Sequence, residues 1–363
     1  MKLLQRYILG EFLKLLTLTT LAFITIFMLV DVVEKVDDLI EHGVPFGTGA
    51  RFFLYKIPFI LCQVAPISVL LAVLLSLGIL NRHGEIMAIK AGGVGIVRAL
   101  SPLFAAGAVA TVLVFFVSES IVPTTNRLVD SIEGKWLRGE EETGVFGESG
   151  LWLRSGGRIY NIREVDRERK TLHGITAYGI EKTGIRSRVF AREAAWQAEE
   201  GQWIAEEATL RSFPAGGRGA GAEEKAAKGF PLEGLKGPEE LLGAETSHER
   251  MSLTELRRYV HGLEAEGYDA RRYRVDLYGK LFFPLVNFIM VLVAVPFALR
   301  TGRHGGIAAG VALSVAIGFS YWVVFGISRA LGQSGMLPAI VAASFPDVLF
   351  LAVGVLMFGY IRQ

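Results

Sequence analysis

Residues Asn81–Gly95 have the sequence NRHGEIMAIKAGGVG and lie between two long apolar runs. Ile86 and Ile89 are three residues apart, so they share one face of a helix. Two adjacent glycines then provide a stop and a bend. The segment therefore predicts a short amphipathic helix over residues 81–91, of the kind that fits a groove in a soluble partner. A helix that lies in the lipid headgroup layer is the alternative.

The polar residues of this segment match the electrostatics of a helix. Asn81 is a residue type that caps helix N-termini, and we predict that it does so here. Glu85 follows in the first turn, where a negative charge meets the positive end of the helix dipole. An acidic tip on a short, stiff helix suits a contact with a basic partner surface.

The composition indicates a protein of the lipid bilayer. Of the 363 residues, 51% are hydrophobic, and the mean hydropathy is +0.40. A net charge of +2 gives no strong field for nucleic acid. The single cysteine, Cys62, excludes an internal disulfide or a cysteine-based metal site, and the six histidines lack metal-ligand spacing.

Six runs are long enough to cross a hydrocarbon core, which takes about 20 residues of helix. The first run has no small-residue cleavage site, so it predicts a retained helix and no signal peptide. The predicted spans are Leu13–Val33, Ile57–Leu80, Val97–Ser118, Leu277–Leu299, Ile307–Ser328 and Leu337–Tyr360.

Charged residues are concentrated in one part of the chain. Residues 119–276 contain 52 of the 74 charged side chains. This distribution predicts a polar domain at 119–276, inserted between helices 1–3 in residues 1–118 and helices 4–6 in residues 277–363.

Lysine and arginine in the short connections set the orientation. With the N-terminus inside, the inner segments carry nine such residues and the short outer loops carry four. Arg271, Arg272, Arg274 and Lys280 oppose this assignment, but they adjoin a long translocated domain, where the rule is weak. We therefore expect both termini in the cytoplasm and the polar domain outside.

The polar domain has the pattern of an antiparallel sheet. Gly150–Phe213 contains short runs rich in β-branched and aromatic residues, separated by glycine or charged turns. Such runs predict an open or rolled sandwich. We expect its apolar residues to line one face, either as an ordinary core or as a groove for lipid. They are Trp152, Leu153, Ile159, Ile162, Ile175, Tyr178, Trp203 and Ile204.

Two further features complete the domain. The Gly-, Ala- and Lys-rich stretch at 215–238 lacks periodicity and predicts a flexible loop. Ser252 and Glu255 then form the Ser-x-x-Glu pattern of a capping box, which predicts a return helix over residues 252–266.

Two polar or small-residue features fall within the predicted spans. Asp347 follows Pro346 inside the last span, where an ionisable group should face protein or water. We expect it to pair with a residue such as Arg329 or to hydrate a cavity, and Pro346 to free a backbone carbonyl. Gly306 and Gly310 have the Gly-x-x-x-Gly spacing that permits close helix contact, at a partner interface or a mobile gate.

Several motifs in a fixed order resemble one known family. The short helix has the pattern Glu-(Leu/Ile)-x-Ala-x-(Arg/Lys)-Ala-x-Gly at residues 85–93, and the domain exit has Met-Ser-x-x-Glu-Leu at residues 251–256. Tyr273, Lys280, Pro284, Pro296 and Phe297 follow in the expected order. The chain resembles the LptF/LptG permeases of the lipopolysaccharide export ABC transporter. The sequence VDDLIEHG at 36–43 is more similar to the LptG branch.

The resemblance implies a six-helix membrane protein with an all-β, jellyroll-like periplasmic domain in the bacterial inner membrane. Members pair as LptF with LptG on an LptB ATPase dimer, together with LptC, and pass lipopolysaccharide to the LptA bridge. ATP and magnesium then belong to the ATPase, and no cofactor is expected on this chain. The resemblance makes the segment at 81–91 the coupling helix, with Arg82, His83, Glu85, Ile86, Met87, Ile89 and Lys90 as its contact residues.

The chain departs from the family where LptG proteins often carry a basic residue late in the first span. Glu34 occupies that position, with Lys35 beside it. Lys35, Lys56 and Arg127 are candidates for contacts with lipid phosphates, and interfacial anchoring is the alternative for all three.

No Gly-x-x-x-x-Gly-Lys-(Ser/Thr) loop, Gly-x-Ser-x-Gly or His-Glu-x-x-His motif occurs in the chain. The absence of these motifs predicts that this chain does not itself hydrolyse nucleotide. The resemblance then implies a non-catalytic permease subunit that extracts lipopolysaccharide from the outer leaflet and depends on a partner for ATP hydrolysis. The competing class is a membrane scaffold or receptor whose outer domain binds a protein.

Overall fold

The computed structural model describes residues 2–133, 136, 145–147, 150–155, 158–166, 170–181, 184–197, 201–213, 223–232, 234–235, 237, 251–265, 269–300 and 307–359. The chain forms two compact units, one of Met1–Val129 with Arg271–Gln363 and one of Asp130–Ala270. The second unit is thus an insertion in the first, with bounds narrower than the predicted 119–276.

The first unit is helical. Its helices are α1 (Lys2–Glu41), α2 (Phe46–Arg82), α3 (Glu85–Ala91), α4 (Ile96–Ala99), α5 (Ser101–Phe116), α6 (Val122–Ile132), α8 (Arg271–Phe282), α9 (Val286–Arg300), α10 (Ile307–Gln333) and α11 (Ala339–Gly359). A π-helical turn at Val117–Ile121 joins α5 to α6, and a 3₁₀ turn at Phe283–Leu285 joins α8 to α9. Among the described residues, six helical stretches are long and apolar enough to cross a membrane.

Helix α2 lies at the centre of this unit. In the most apolar stretch of α2, 78% of the residues are buried, whereas in that of α1 only 6% are buried. The main apolar cluster joins residues of α1, α2, α3, α5, α9 and α10. Large apolar side chains on α1 and α5, such as Phe27 and Phe116, remain exposed. An apolar surface of this extent requires lipid or another membrane protein.

Glycines allow the central helices to approach closely. A Cβ atom added at Gly107 of α5 would lie 2.7 Å from Cγ2 of Val291 in α9. A Cβ atom at Gly354 of α11 would clash with Leu292 of α9. A Cβ atom at Gly310 would lie 3.5 Å from Leu75 of α2, so this glycine faces the same chain. The other half of the predicted motif, Gly306, lies outside the described residues.

Pro346 in α11 has the effect that the sequence predicts. Proline has no N–H, so the carbonyl four residues earlier, on Ala342, loses its helical donor. The Ser328 hydroxyl of α10 donates to that carbonyl at 2.7 Å. The bond satisfies a buried acceptor and ties α10 to α11.

The second unit contains a seven-stranded antiparallel sheet, which confirms the predicted fold class. Its strands are β1 (Val145–Gly147), β2 (Gly150–Ser155), β3 (Arg158–Asp166), β4 (Thr171–Glu181), β5 (Gly184–Gln197), β6 (Gln202–Ser212) and β7 (Glu223–Pro231). Each strand pairs with its neighbour in sequence, so the described strands form a meander.

Strand β7 corrects the predicted loop at 215–238. Glu223–Pro231 pairs with β6, from Ser212↔Glu223 to Ile204↔Pro231. The composition misled because the exposed Lys225 and Lys228 are typical of an edge strand, where lysine discourages further pairing. Residues 215–222, the first part of the predicted loop, lie outside the described residues.

The predicted return helix is α7 (Leu253–Ala265). Its capping box is complete, because the Glu255 amide donates to Ser252 Oγ at 3.2 Å and the Ser252 amide donates to Glu255 Oε2 at 3.0 Å. The Tyr259 hydroxyl donates to the Arg163 carbonyl of β3 at 2.6 Å. This bond attaches α7 to the sheet.

We expect Gly354→Ala to destabilise the chain by about 1–3 kcal/mol, because the new methyl group overpacks the contact with Leu292. Gly326→Ala is the matched control, since Gly326 is a helical glycine of α10 with no atom within 4 Å of an added Cβ. Thermal unfolding of the full chain in detergent measures both. Equal melting temperatures for the two variants would contradict the close approach of α11 to α9.

Candidate functional site

The short helix α3 begins after a sharp turn at Gly84. Helix α2 continues through Asn81 to Arg82, and Gly84 then takes a φ of 74°. The predicted N-cap role of Asn81 is wrong, because this residue lies inside α2. The predicted helix at 81–91 is accordingly shorter, at Glu85–Ala91. Glycine adopts this left-handed conformation without a steric penalty, which permits the sharp turn between α2 and α3.

A second left-handed glycine ends α3, as the paired glycines predict. Gly93 has a φ of 71°, and its amide donates to the Lys90 carbonyl at 3.0 Å. The Val94 amide donates to the Ile89 carbonyl at 3.2 Å. These two bonds form a Schellman motif, which satisfies the last carbonyls of the helix. Both ends of α3 are therefore held by defined backbone geometry.

The apolar side of α3 faces the chain itself. Ile86 is 5% exposed and Ile89 is 8% exposed, and both belong to the main apolar cluster. Both side chains therefore pack within this chain, and their contact with an ATPase stays a prediction. Burial in this cluster removes both isoleucine side chains from water, which favours this packing.

Four of the remaining predicted contact residues are exposed, on α3 or just before it. Met87 is 59% exposed. Arg82, His83 and Lys90 are also exposed. This stretch therefore offers one flexible apolar side chain and three basic residues at exposed positions, which fits a partner surface with an apolar pocket and acidic groups.

Glu85 has a contact that the sequence did not suggest. The Tyr7 hydroxyl of α1 donates to Glu85 Oε1 at 3.1 Å. His83 Nδ1 lies 3.8 Å from the same oxygen. The Glu85 side chain is 33% exposed. The carboxylate is therefore anchored inside the chain while part of it remains accessible.

Lys56, a candidate for a phosphate contact, already has an anionic partner. Its Nζ lies 2.6 Å and 2.8 Å from the two carboxylate oxygens of Asp31, which joins α2 to α1. It also lies 4.7 Å from the ring centroid of Phe52. The charge of Lys56 is thus neutralised within the chain, and a phosphate must compete with Asp31 for it.

The other two phosphate candidates differ from Lys56. Lys35 is partly exposed near the end of α1 and forms no ion pair with any described residue. Arg127 is exposed on α6. Of the two lysines, Lys35 has the ammonium group better suited to an external anion.

The predicted apolar face of the sheet is divided between two faces. Ile162 and Trp203 are fully buried and belong to the apolar cluster of the sheet. Trp152, Ile159 and Tyr178 are only partly buried. Ile159 pairs with Tyr178, and the rings of Trp152 and Tyr178 stack at 6.1 Å. The single-face prediction is wrong because adjacent residues of a strand point to opposite sides.

A row of irregular pairing crosses the sheet and changes which residues face inward. Ile162 and Val165 of β3 are both buried, although they are three residues apart. Leu172 and Ile175 of β4 repeat the pattern, and Gly174 between them has a φ of 63°. Gly174 is skipped in the pairing of β4 with both β3 and β5, and the register is the same before and after it. Simple alternation therefore fails at this level of the sheet.

Asp347 pairs with a residue other than the one predicted. The Tyr321 hydroxyl of α10 donates to Asp347 Oδ1 at 2.9 Å. Arg329 instead binds Asp276 of α8, with Nε 2.8 Å from Oδ1. Both pairs connect neighbouring helices of the same chain.

Sequence reasoning missed Tyr7, Asp31, Asp276 and Tyr321, each of which lies far along the chain from its partner. Tyr7 and Glu85, for example, are 78 positions apart in the chain. One sequence signal indicated that the start of α1 packs inside the chain, because Ile8 and Phe12 repeat at helical spacing before the first predicted span.

Among the described residues, no group of His, Cys, Asp and Glu side chains suits a metal ion.

Comparison with known proteins covers nearly the whole chain. Residues 6–360 match the family described as lipopolysaccharide export system permease LptF/LptG. The LptG permease protein of Escherichia coli K12 is 24% identical over 342 residues, which cover 92% of this chain and 93% of that protein. The LptG protein of Haemophilus influenzae Rd is 21% identical over 362 residues, 96% of each chain. With its six apolar helical stretches and inserted sheet, the chain belongs to the LptF/LptG family of lipopolysaccharide export permeases.

Proposed function

We propose that this chain is the LptG-like permease subunit that extracts lipopolysaccharide from the outer leaflet of the inner membrane. An LptB-like ATPase dimer supplies the energy from the cytoplasm, so this chain hydrolyses no nucleotide. The chain pairs with an LptF-like permease and an LptC-like membrane-anchored jellyroll. The all-β unit lies in the periplasm and passes the lipid to an LptA-like bridge.

The geometry of α3 is the observation that carries this proposal. Its inner side is packed in the apolar cluster through Ile86 and Ile89, and its outer side presents Met87 and Lys90. A force applied to the outer side therefore passes directly into the packed helices. Packed interiors have low compressibility and transmit such displacements.

The exposed apolar surfaces support assembly with a second permease. α1, α5, α10 and α11 all carry large exposed apolar side chains. Close helix contact in a bilayer depends on packing, so these surfaces are where an LptF-like subunit and lipid are expected.

The sheet has an inner face, which carries Ile162 and Trp203, and an outer face, which carries Ile159 and Tyr178. The inner face suits the acyl chains of the lipid better. Its rows are apolar across several strands, as in Leu151↔Ile162↔Ile175↔Ala191. On the outer face, the row that starts at Ile159 and Tyr178 continues to Arg188 and Arg211. An apolar path keeps transfer inexpensive, since exposing one methylene to water costs about 0.8 kcal/mol.

The lipid phosphates have separate partners in this scheme. Lys35 and Arg127 are placed on the exposed parts of α1 and α6. Lys56 joins them only when its bond to Asp31 opens. Charge-assisted hydrogen bonds to phosphate then offset the loss of that ion pair.

We expect Glu85→Ala to lower ATP-driven lipid release from proteoliposomes about tenfold or more, because coupling through α3 loses its acidic contact. Glu41→Ala, which removes an exposed carboxylate at the end of α1, is the control and should export normally. Undiminished release by Glu85→Ala would show that α3 does not couple in this way. Failure of the wild-type chain to purify with an ATPase would favour the scaffold function.

A serine substitution should have different effects on the two sides of α3. Met87→Ser should weaken binding of the ATPase while the chain keeps its melting temperature, since Met87 is exposed. Ile86→Ser should lower the stability of the isolated chain by about 2–4 kcal/mol, since it removes a buried side chain. Quantitative pull-down and thermal unfolding separate the two effects. The reverse pattern would mean that the isoleucines contact the partner.

A photo-crosslinking amino acid at Ile162 should capture lipopolysaccharide during ATP turnover, and one at Ile159 should not. The two positions are three residues apart on β3 and face opposite sides of the sheet, so they form a matched pair. Gel shift with an antibody against the lipid detects the adduct. Capture at Ile159 alone would move the lipid path to the outer face, and capture at neither would make the inner face a core only.

A further inference from the structure

The first turns of α1 belong to the same apolar cluster as α3. Ile8 and Phe12 are almost completely buried and are four residues apart, so they share one helix face. They lie in one cluster with Ile86, Ile89 and Ile96. These turns precede the predicted membrane span, which begins at Leu13. The first turns of α1 therefore pack against residues 85–101, which we call the coupling region.

Two polar side chains of α1 contact the coupling region at its two ends. At one end, the Tyr7 hydroxyl donates to Glu85, the first residue of α3. At the other end, Gln5 Nε2 donates to the Arg98 carbonyl at 3.0 Å and to Ser101 Oγ at 3.1 Å. Successive helical residues are rotated by about 100°, so Tyr7 and Gln5 lie on either side of the buried stripe.

Helix α1 can carry motion from these contacts over a long distance. It is continuous for 40 residues from Lys2 to Glu41 and contains no proline. At a rise of about 1.5 Å per residue, its length is about 60 Å. A displacement at its first turns is therefore carried along the helix to Asp31, which binds Lys56 of α2.

The two oxygens of Glu85 have different surroundings. Oε1 accepts the Tyr7 hydroxyl and is the oxygen nearest to His83. Within the described part of the chain, Oε2 forms no hydrogen bond, and the side chain is one-third exposed. Holding one oxygen restricts the rotamers of the carboxylate, so the other is presented in a defined direction.

We propose that Tyr7 is a positioning residue for coupling, because its hydroxyl orients Glu85 and makes α1 move together with α3. Oε2 of Glu85 then receives a basic group of the ATPase. Gln5 holds the far end of the same region, where α4 meets α5. This inference rests on the proposed coupling role of α3 and adds α1 as the element that receives its motion.

The test is Tyr7→Phe, which removes the hydroxyl and keeps the ring. The assembled complex in proteoliposomes is measured for ATP hydrolysed and lipid released. The expected result is a fall of about three- to tenfold in lipid released per ATP, with the KM for ATP unchanged. A purely structural role would lower both rates in proportion and leave the ratio constant. Tyr278→Phe is the control, since the Tyr278 hydroxyl has no hydrogen bond to a described residue.

The possible results separate this inference from the proposed function. A normal ratio in Tyr7→Phe beside a low ratio in Glu85→Ala would overturn the positioning role and keep the coupling role. Normal ratios in both variants would remove the coupling role itself. A low ratio in Tyr7→Phe and a normal one in Tyr278→Phe supports the inference.

A tether tests whether α1 and the coupling region move as one body. Gln5→Cys and Ser101→Cys, placed in a Cys62→Ala background, are joined with a short bifunctional thiol reagent. The joined protein should release at least as much lipid per ATP as the same protein before joining. Loss of release on joining would show that the two parts must separate, and failure to join would show that they do not lie together. Either result overturns the inference.

Discussion

The burial of Ile86 and Ile89 in the apolar cluster of the helical unit is the contact on which the rest of the molecule depends. It places α3 in one cluster with residues of α1, α2 and α9, through side chains that each contribute about 1.5–3 kcal/mol on burial. Because α3 is held from inside, its outer side is defined as well. The same cluster contains Leu77 and Leu80 of α2, so the end of the central helix and α3 form one packed body.

The helical unit combines this rigid centre with surfaces that depend on the membrane. Glycines at positions 107 and 354 bring α5 and α11 against α9. The Ser328 bond to the carbonyl freed by Pro346 ties α10 to α11 without a charged group. Among the described helices, Lys56 binds Asp31 and Arg329 binds Asp276. The outer sides of α1 and α5 carry exposed apolar side chains, whose contact with water is unfavourable. This surface fits a subunit of a larger membrane assembly.

The second unit meets different physical demands. Its sheet has one apolar face continuous across several strands and one mixed face that ends in arginines. The interruption of alternation at Gly174 keeps the apolar face continuous where the strands bend. The capping box at Ser252 begins the helix that leads the chain out of this unit. A single chain can therefore offer an apolar surface within the polar domain and an apolar surface in the bilayer.

The sequence by itself determined the features that depend on local patterns. The six spans, the antiparallel strands, the capping box at Ser252 and the glycine stop of α3 follow from hydropathy, alternation and turn chemistry among near neighbours. Tertiary structure decided which side of α3 is exposed, and it supplied Tyr7 for Glu85, Asp31 for Lys56 and Tyr321 for Asp347. It also made a strand of Glu223–Pro231, because the open edge of β6 offered backbone partners. These outcomes depend on residues distant in the chain, whose meeting depends on packing of whole helices and strands and leaves no periodic trace in the sequence.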